Sequence, residues 1–330
     1  MRRALALLPC LLFGCKPSRL AAVSNDGRVA STVASGTSIA GRGRVAEGGI
    51  ALAWSPDGQT LAIAAKDGVI LWPKGTRLSS LTAPLAWSPT GDRLAGMGTK
   101  GIEVRDLASG ERVLGASGTM PERLRWMPDG RVLAVQTHSL ELGEGTRLPR
   151  GAGTILDAMP GADGGIVWLE AGPIKKPTDV LTVPLLHGHW EPATGKETSA
   201  KIATMSTLLG VASARRLTIP TRFALSPDDE RYAVAGIFVE AGTRSLDRMR
   251  VLTDRAKPTP AERDELARLS KAARKRSFVV RFNAAGARTT VWNETIASEE
   301  DGPTDLAWSP DSRWLAVARN SGTVRIAAGE

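Results

Sequence analysis

Three observations in the sequence predict an all-β fold, a β-propeller of seven blades with one inserted surface helix. The segment Leu52-Ala53-Trp54-Ser55-Pro56-Asp57-Gly58 recurs in recognisable form along most of the chain. Its copies fall at propeller-blade intervals, and short apolar runs follow them. A period of this size with about four short strands per unit is the signature of a propeller blade.

The repeated segment marks a hairpin. Pro56 has its φ preset for the second position of a type I turn, Asp57 suits the third, and Gly58 can take the left-handed conformation that leads into the next strand. With Ser55 as register mark, counterparts fall at Ser24, Ser88, Met127, Met159, Ser226 and Ser309. The spacings are 31, 33, 39, 32, 67 and 83 residues, so the first four intervals are regular and the last two are enlarged. The copies at Trp54, Trp87, Trp126 and Trp308 are strong, although Ser312 stands in the glycine place of the last. Leu225-Ser226-Pro227-Asp228-Asp229 is weaker, Ser24-Asn25-Asp26-Gly27 lacks the proline, and Met159-Pro160-Gly161-Ala162-Asp163-Gly164 is recognised mainly by spacing. Runs such as Leu61-Ala62-Ile63-Ala64, Tyr232-Ala233-Val234-Ala235 and Leu315-Ala316-Val317-Ala318 suit strands buried on both faces.

Asp106-Leu107-Ala108-Ser109-Gly110-Glu111 and Glu191-Pro192-Ala193-Thr194-Gly195-Lys196-Glu197 read as one outer turn between third and fourth strands. That places Trp190 late in the fifth blade, with an insertion at 173–184. A larger insertion, about 240–277, opens the sixth unit. Within it Thr259-Pro260-Ala261-Glu262 is a helix start, with a capping threonine, proline at the first helical position and glutamate at the third. Leu266, Leu269 and Ala273 give that helix a narrow apolar stripe. The last unit shows three strands, so a strand near Arg19 to Val23 either begins its own blade or completes the last one, which would leave six.

The 330 residues are 42% hydrophobic and 23% charged, as in an ordinary globular protein. At the N-terminus Arg2 and Arg3 precede an apolar run from Ala4 to Phe13, too short to span a bilayer, which reads as a secretory signal. Leu12-Phe13-Gly14-Cys15 resembles the lipobox of bacterial lipoproteins. This implies a signal peptide at 1–14, a lipidated linker at 15–18 beginning at Cys15, and a propeller at 19–330. By analogy with lipoprotein sorting, Lys16 implies the outer membrane, with the body facing the periplasm. Cys10 and Cys15 are the only cysteines, so the body has no disulfide. Removing Arg2 and Arg3 leaves a net charge of +7, with the basic residues scattered as on a solvated surface.

The turns and strands resemble the WD-like β-propeller repeats of bacterial periplasmic proteins of the TolB type, over nearly all of residues 19–330. Eukaryotic-type WD signatures are incomplete: no Gly-His pair sits at the expected place, and Leu71-Trp72-Pro73 has proline where that pattern has aspartate. The resemblance implies a monomeric, non-enzymatic scaffold that binds envelope proteins through a ring face or the central channel, without a cofactor. A propeller hydrolase or oxidoreductase, or a ligand- or glycan-binding sensor, remains the alternative; it would set carboxylates or histidines from several blades around the channel.

Trp54, Trp87, Trp126 and Trp308 share one repeat position, which predicts packing between blades. Trp168, Trp190, Trp292 and Trp314 lie outside it and are candidate surface anchors. His187-Gly188-His189 places two imidazoles on one strand face, a weak metal candidate without a third ligand nearby. The aspartates Asp57, Asp129, Asp228 and Asp311 are explained as hairpin residues. The best surface candidate is the basic end of the inserted helix, Arg268, Lys271, Arg274, Lys275 and Arg276, for contact with a partner or with anionic lipid. No G-x-S-x-G elbow, Walker loop or H-E-x-x-H segment is present.

Overall fold

The computed structural model describes residues 20–33, 36–114, 120–143, 146–149, 153–173, 184–204, 216–253, 255, 257–283 and 287–327. Cys15 and most of the 173–184 insertion lie outside them. Among the described residues seven antiparallel sheets follow one another, at 21–46, 51–78, 82–114, 123–149, 154–204, 216–296 and 303–327. Six have four strands and the seventh has three, each sheet in simple chain order. Ala21, Ala22 and Val23 pair with 29–31 of their own sheet, so the first strand begins a blade and the count is seven, not six.

The first strand of each blade lines a central channel of about 830 Å³. It runs to the serine turn on one face of the ring, here called the turn face. The second strand runs back to the opposite face. The predicted apolar runs are these second strands, and alanines such as Ala62, Ala95, Ala134, Ala233 and Ala316 are fully buried in them. Small side chains let adjacent sheets stack. In five blades the larger residue six positions after the turn mark fills the space between them: Leu61, Leu94, Leu133, Tyr232 and Leu315 are all buried, at about 2 kcal/mol for each leucine.

In five blades the mark is a buried hydroxyl, that of Ser24, Ser55, Ser88, Ser226 or Ser309. Ser55 Oγ donates to Asp57 Oδ1 at 2.5 Å and accepts the Thr60 N–H at 2.9 Å, while Asp57 Oδ1 accepts the Gln59 N–H at 2.9 Å. Ser309, Asp311 and Trp314 repeat this clasp at 2.6 and 2.9 Å, and Ser24 with Asp26 and Ser226 with Asp228 do the same. In the third blade Asp92, two residues later, takes the aspartate role. The fifth mark is Gly161, not Met159. Gly161 N–H donates to Gly165 O, Gly164 N–H to Gly161 O, and Asp163 accepts the Gly165 N–H, so Met159 and Pro160 are the last residues of the first strand.

Gly58, Gly91 and Gly130 take positive φ at the turn corner, where Asp229 and Ser312 do so at 57° and 60°. Side chains rarely tolerate that backbone. Both exceptions reach a neighbouring blade: Ser312 Oγ accepts the Asp228 N–H at 3.0 Å, and Asp229 faces His187 at 3.4 Å.

The sixth-blade insertion holds two helices where one is expected, α1 (Thr243–Thr253) and α2 (Pro260–Ala272). The predicted helix is α2, with the Thr259–Glu262 capping box and Pro260 in place. It packs Leu266, Leu269 and the adjoining Ala273 against Leu246 and Met249 of α1 and Ile237, Val239 and Ile296 of the blade. Strands Arg231–Glu240 and Arg274–Asn283 are longer than expected, so Arg274, Lys275 and Arg276 belong to a strand and not to the helix end. Because the insertion joins a second strand to a third, it stands on the face opposite the serine turns, here called the insertion face.

The clasp yields a test. Ser309→Ala removes a fully buried hydroxyl that both donates and accepts, and should lower the unfolding free energy by about 2 kcal/mol in urea titration; an unchanged midpoint would contradict the role assigned to the mark.

Candidate functional site

The channel is the concave feature that draws residues from all seven blades. Four residues before each turn mark stand Leu20, Ala51, Pro84, Arg123, Asp157, Arg222 and Asp305. One arc is therefore apolar and the other alternates in charge. In the fifth, sixth and seventh blades a β-bulge falls immediately before Asp157, Arg222 and Asp305, which re-aims these side chains.

Their contacts run from blade to blade. Arg123 and Arg125 of the fourth blade approach Asp157 Oδ1 at 2.7 and 3.3 Å. Asp157 Oδ2 accepts the Leu225 N–H of the sixth blade at 3.0 Å, and Oδ1 accepts the Ala158 N–H. Arg222 donates to Thr304 O of the seventh. Asp305 repeats the Asp157 arrangement, accepting the Leu306 N–H at 2.9 Å and the Ala21 N–H of the first blade at 3.0 Å. Inward carboxylates from two blades are thus present, as an active site would require, but backbone amides of their own and the next blade engage both.

Asp157 is 1% exposed. Burial works to raise its carboxyl, but Arg123 and then Arg125, with the Leu225 amide, hold it below the ordinary aspartate value. Burial pulls the Arg125 guanidinium down; for Arg123 burial is also the largest single effect, but the Asp157 charge and hydrogen bond, with the charges of Asp305 and Glu122, together outweigh it and the net shift is upward.

The repeated tryptophans fasten other interfaces. Indole N–H groups of Trp87 and Trp126 donate to Ala53 O and Ala86 O of the preceding blade, both at 2.9 Å, and Trp308 to Ala224 O at 3.3 Å. Trp54 lies under Arg28 of the first blade, 5.0 Å from ring centroid to guanidinium. Among the candidate anchors, Trp168 is fully buried, Trp190 packs in a core cluster, and Trp292 and Trp314 lie under Arg319 and Arg325.

His187 and His189 do not converge on one ligand. His187 Nε2 faces Asp229 of the next blade at 3.4 Å, and its ring meets Tyr232 edge-on at 5.9 Å. His189 Nε2 meets Asp163 of its own blade at 2.9 Å. Gly188 separates them because Trp168 lies against its backbone; an added Cβ would sit 1.9 Å from the indole. Burial, then the Asp229 charge, push the Tyr232 hydroxyl up. Among the described residues no group of three or more His, Cys, Asp or Glu is placed to hold a metal ion.

The basic candidates divide. Arg268 and Lys271 are exposed on α2, and Arg274 is exposed at the start of its strand. Arg276 is half-buried, and Lys275 is 6% exposed with its ammonium on Ser270 O and Ala273 O, where it closes the end of α2. Lys275 is not a surface contact. Sequence reasoning missed Asp157, Arg123 and Asp305; their common signal is the place four residues before the turn mark.

The WD domain, G-beta repeat family matches residues 43–72 and 294–326. Both segments have one phase: they take in a fourth strand and run on into the third strand of the next blade. A hydrazine synthase structure from Kuenenia stuttgartiensis is 16% identical over 94% of this chain and 95% of that one, with a TM-score of 0.53. A chain of a mitotic checkpoint complex is 13% identical over 94% and 88%, with a TM-score of 0.53. At this identity the likeness is one of fold. No curated protein sequence matches the chain.

Because the folded Asp157 carboxyl titrates below its unfolded value of 3.8, its contribution is complete above that pH and is lost as pH falls through the folded value. Asp157→Ala leaves Arg123 and Arg125 unpaired and should cost about 3 kcal/mol at neutral pH. The variant should also lose part of the acid-induced decline in stability below pH 3.8 in denaturant titrations. Parallel curves for the two proteins would contradict this assignment.

Proposed function

We propose that the chain is a lipid-anchored, non-enzymatic propeller of the bacterial envelope. Acylated at Cys15 in the outer membrane and facing the periplasm, it serves as a scaffold for an envelope protein bound on its turn face. The observation that carries this reading is how that face is braced. Asn25 Nδ2 donates to Pro56 O at 2.8 Å, Arg28 donates to Gly58 O, Asp311 N–H donates to Asn25 Oδ1 at 3.0 Å, and Arg231 reaches Ser312 O at 3.0 Å. The turns of the sixth, seventh, first and second blades are thus tied into one surface. A surface ordered before binding loses less entropy when a partner docks.

A second reading, ligand binding in the channel, is favoured by its volume, which lies within the usual range for small-molecule sites. It predicts thermal stabilisation on ligand addition.

Two experiments test the proposal. Cys15→Ala should move the body from the membrane to the soluble fraction, and persistence in the membrane would contradict the anchor. In the Cys15→Ala background, single cysteines on the turn face at Thr90 or Arg313 should crosslink one envelope protein, and a cysteine at the outer-strand residue Arg77 should not. Equal capture from all three positions would remove the turn face as the docking surface.

A further inference from the structure

The chain enters every blade on the insertion face, because each first strand runs from there to its serine turn. Leu20, which leads into the first strand, therefore lies on the same face as α1 and α2. Three large hydrophobics are strongly exposed among the described residues: Ile50 at 54%, Met120 at 69% and Val251 at 52%. All three are on this face. Ile50 and Met120 precede the first strands of the second and fourth blades at the rim of the channel, and Val251 lies on α1.

Charge is concentrated there too. Residues 241–276 contain eleven basic and five acidic side chains, a net of +6 against +9 for the whole chain. The acids are largely neutralised within the insertion: Glu265 pairs with Arg248 at 2.6 Å, Asp247 with Arg250 at 2.9 Å, and Glu262 with Arg255. Arg244, Lys257, Arg263, Arg268 and Lys271 are exposed and make no ion pair among the described residues.

From these placements we infer that the insertion face lies against an anionic lipid bilayer, with the α1–α2 pair as its electrostatic contact. The inference rests on the proposed anchor at Cys15. Five residues from Cys15 to Leu20 span at most about 18 Å, so an acylated Cys15 would hold this face close to the membrane. Basic side chains with an exposed apolar residue between them suit the headgroup boundary of such a surface. The short helical turn Glu299–Asp301 places the acidic residues Glu300 and Asp301 on the same face beside the seventh blade, which limits the footprint to the insertion.

The test uses the full chain with Cys15→Ser, so that acylation contributes nothing, and sedimentation with vesicles. One set is phosphatidylcholine alone; the other includes one-third phosphatidylglycerol. The inference predicts at least tenfold tighter binding to the anionic set, weakening as salt rises. Charge reversal at Arg244, Arg263, Arg268 and Lys271 to Glu should abolish the difference. The same four changed to Gln give a milder variant should the reversed form fail to fold. The leading segment is common to all forms, so the comparison isolates the insertion. Equal binding to both vesicle sets, or anionic binding that survives both variants, overturns the inference. Binding to polyglutamate without vesicle binding overturns it in favour of an acidic protein partner. Palmitate labelling of the Cys15 chain tests the anchor separately, so failure of the anchor and failure of the lipid contact are distinguishable.

Discussion

A ring of seven separate sheets must be fastened at seven interfaces near its axis, and the rest of the structure depends on that constraint. Tryptophans at the end of first strands serve four of them. Trp87, Trp126 and Trp308 bond to the preceding blade through the indole N–H, and Trp54 does so by stacking beneath Arg28. The fifth, sixth and first blades have Pro160, Leu225 and Val23 at that position. Their three interfaces are the ones crossed by Asp157 and Asp305. Asp157 takes the fourth-to-fifth contact through Arg123 and Arg125 and the fifth-to-sixth through Leu225; Asp305 takes the seventh-to-first through Ala21. Where the indole is missing, a carboxylate held by backbone amides stands in, buried at Asp157 and partly buried at Asp305.

This division explains why the channel resembles a site and yet is built as a fastening. A carboxylate satisfied by two arginines and two backbone amides has little capacity left for a ligand. The seam between the seventh and first blades has no shared sheet among the described residues. It relies on Asp305, on Arg313 and Arg325 reaching Asn25 O and Gly27 O, and on Ala21, Val23 and Val29 packed against Ala316 and Ala318. With the axis fastened internally, the two faces differ in build. One is braced by its turns, and the other carries the basic helices.

The repeat made most of the fold legible, because Ser, Pro, Asp and Gly at fixed offsets have local work to do within a single hairpin. Legibility failed where the cause was not local. Met159-Pro160 imitated a turn start, and only the Gly161–Gly165 bond shows that they end a strand. The helix α1 has no capping box, and its Leu246, Met249 and Leu252 stripe is three residues wide, so it passed for loop. Lys275 looked like one of five surface cations until strand extension buried it. Asp157 and Asp305 carry no motif; bulges aim them and a neighbouring blade gives them meaning.

The claim that carboxylates replace indoles at three interfaces is tested most directly by amide hydrogen exchange at Leu225 and Ala21. Both N–H groups should exchange among the slowest at neutral pH. The opening free energy at Leu225 should then fall on acidification below pH 3.8, once intrinsic exchange is corrected for pH, while amides at the Trp87 and Trp126 interfaces keep theirs. Exchange at Leu225 and Ala21 as fast as in exposed turns would contradict the account.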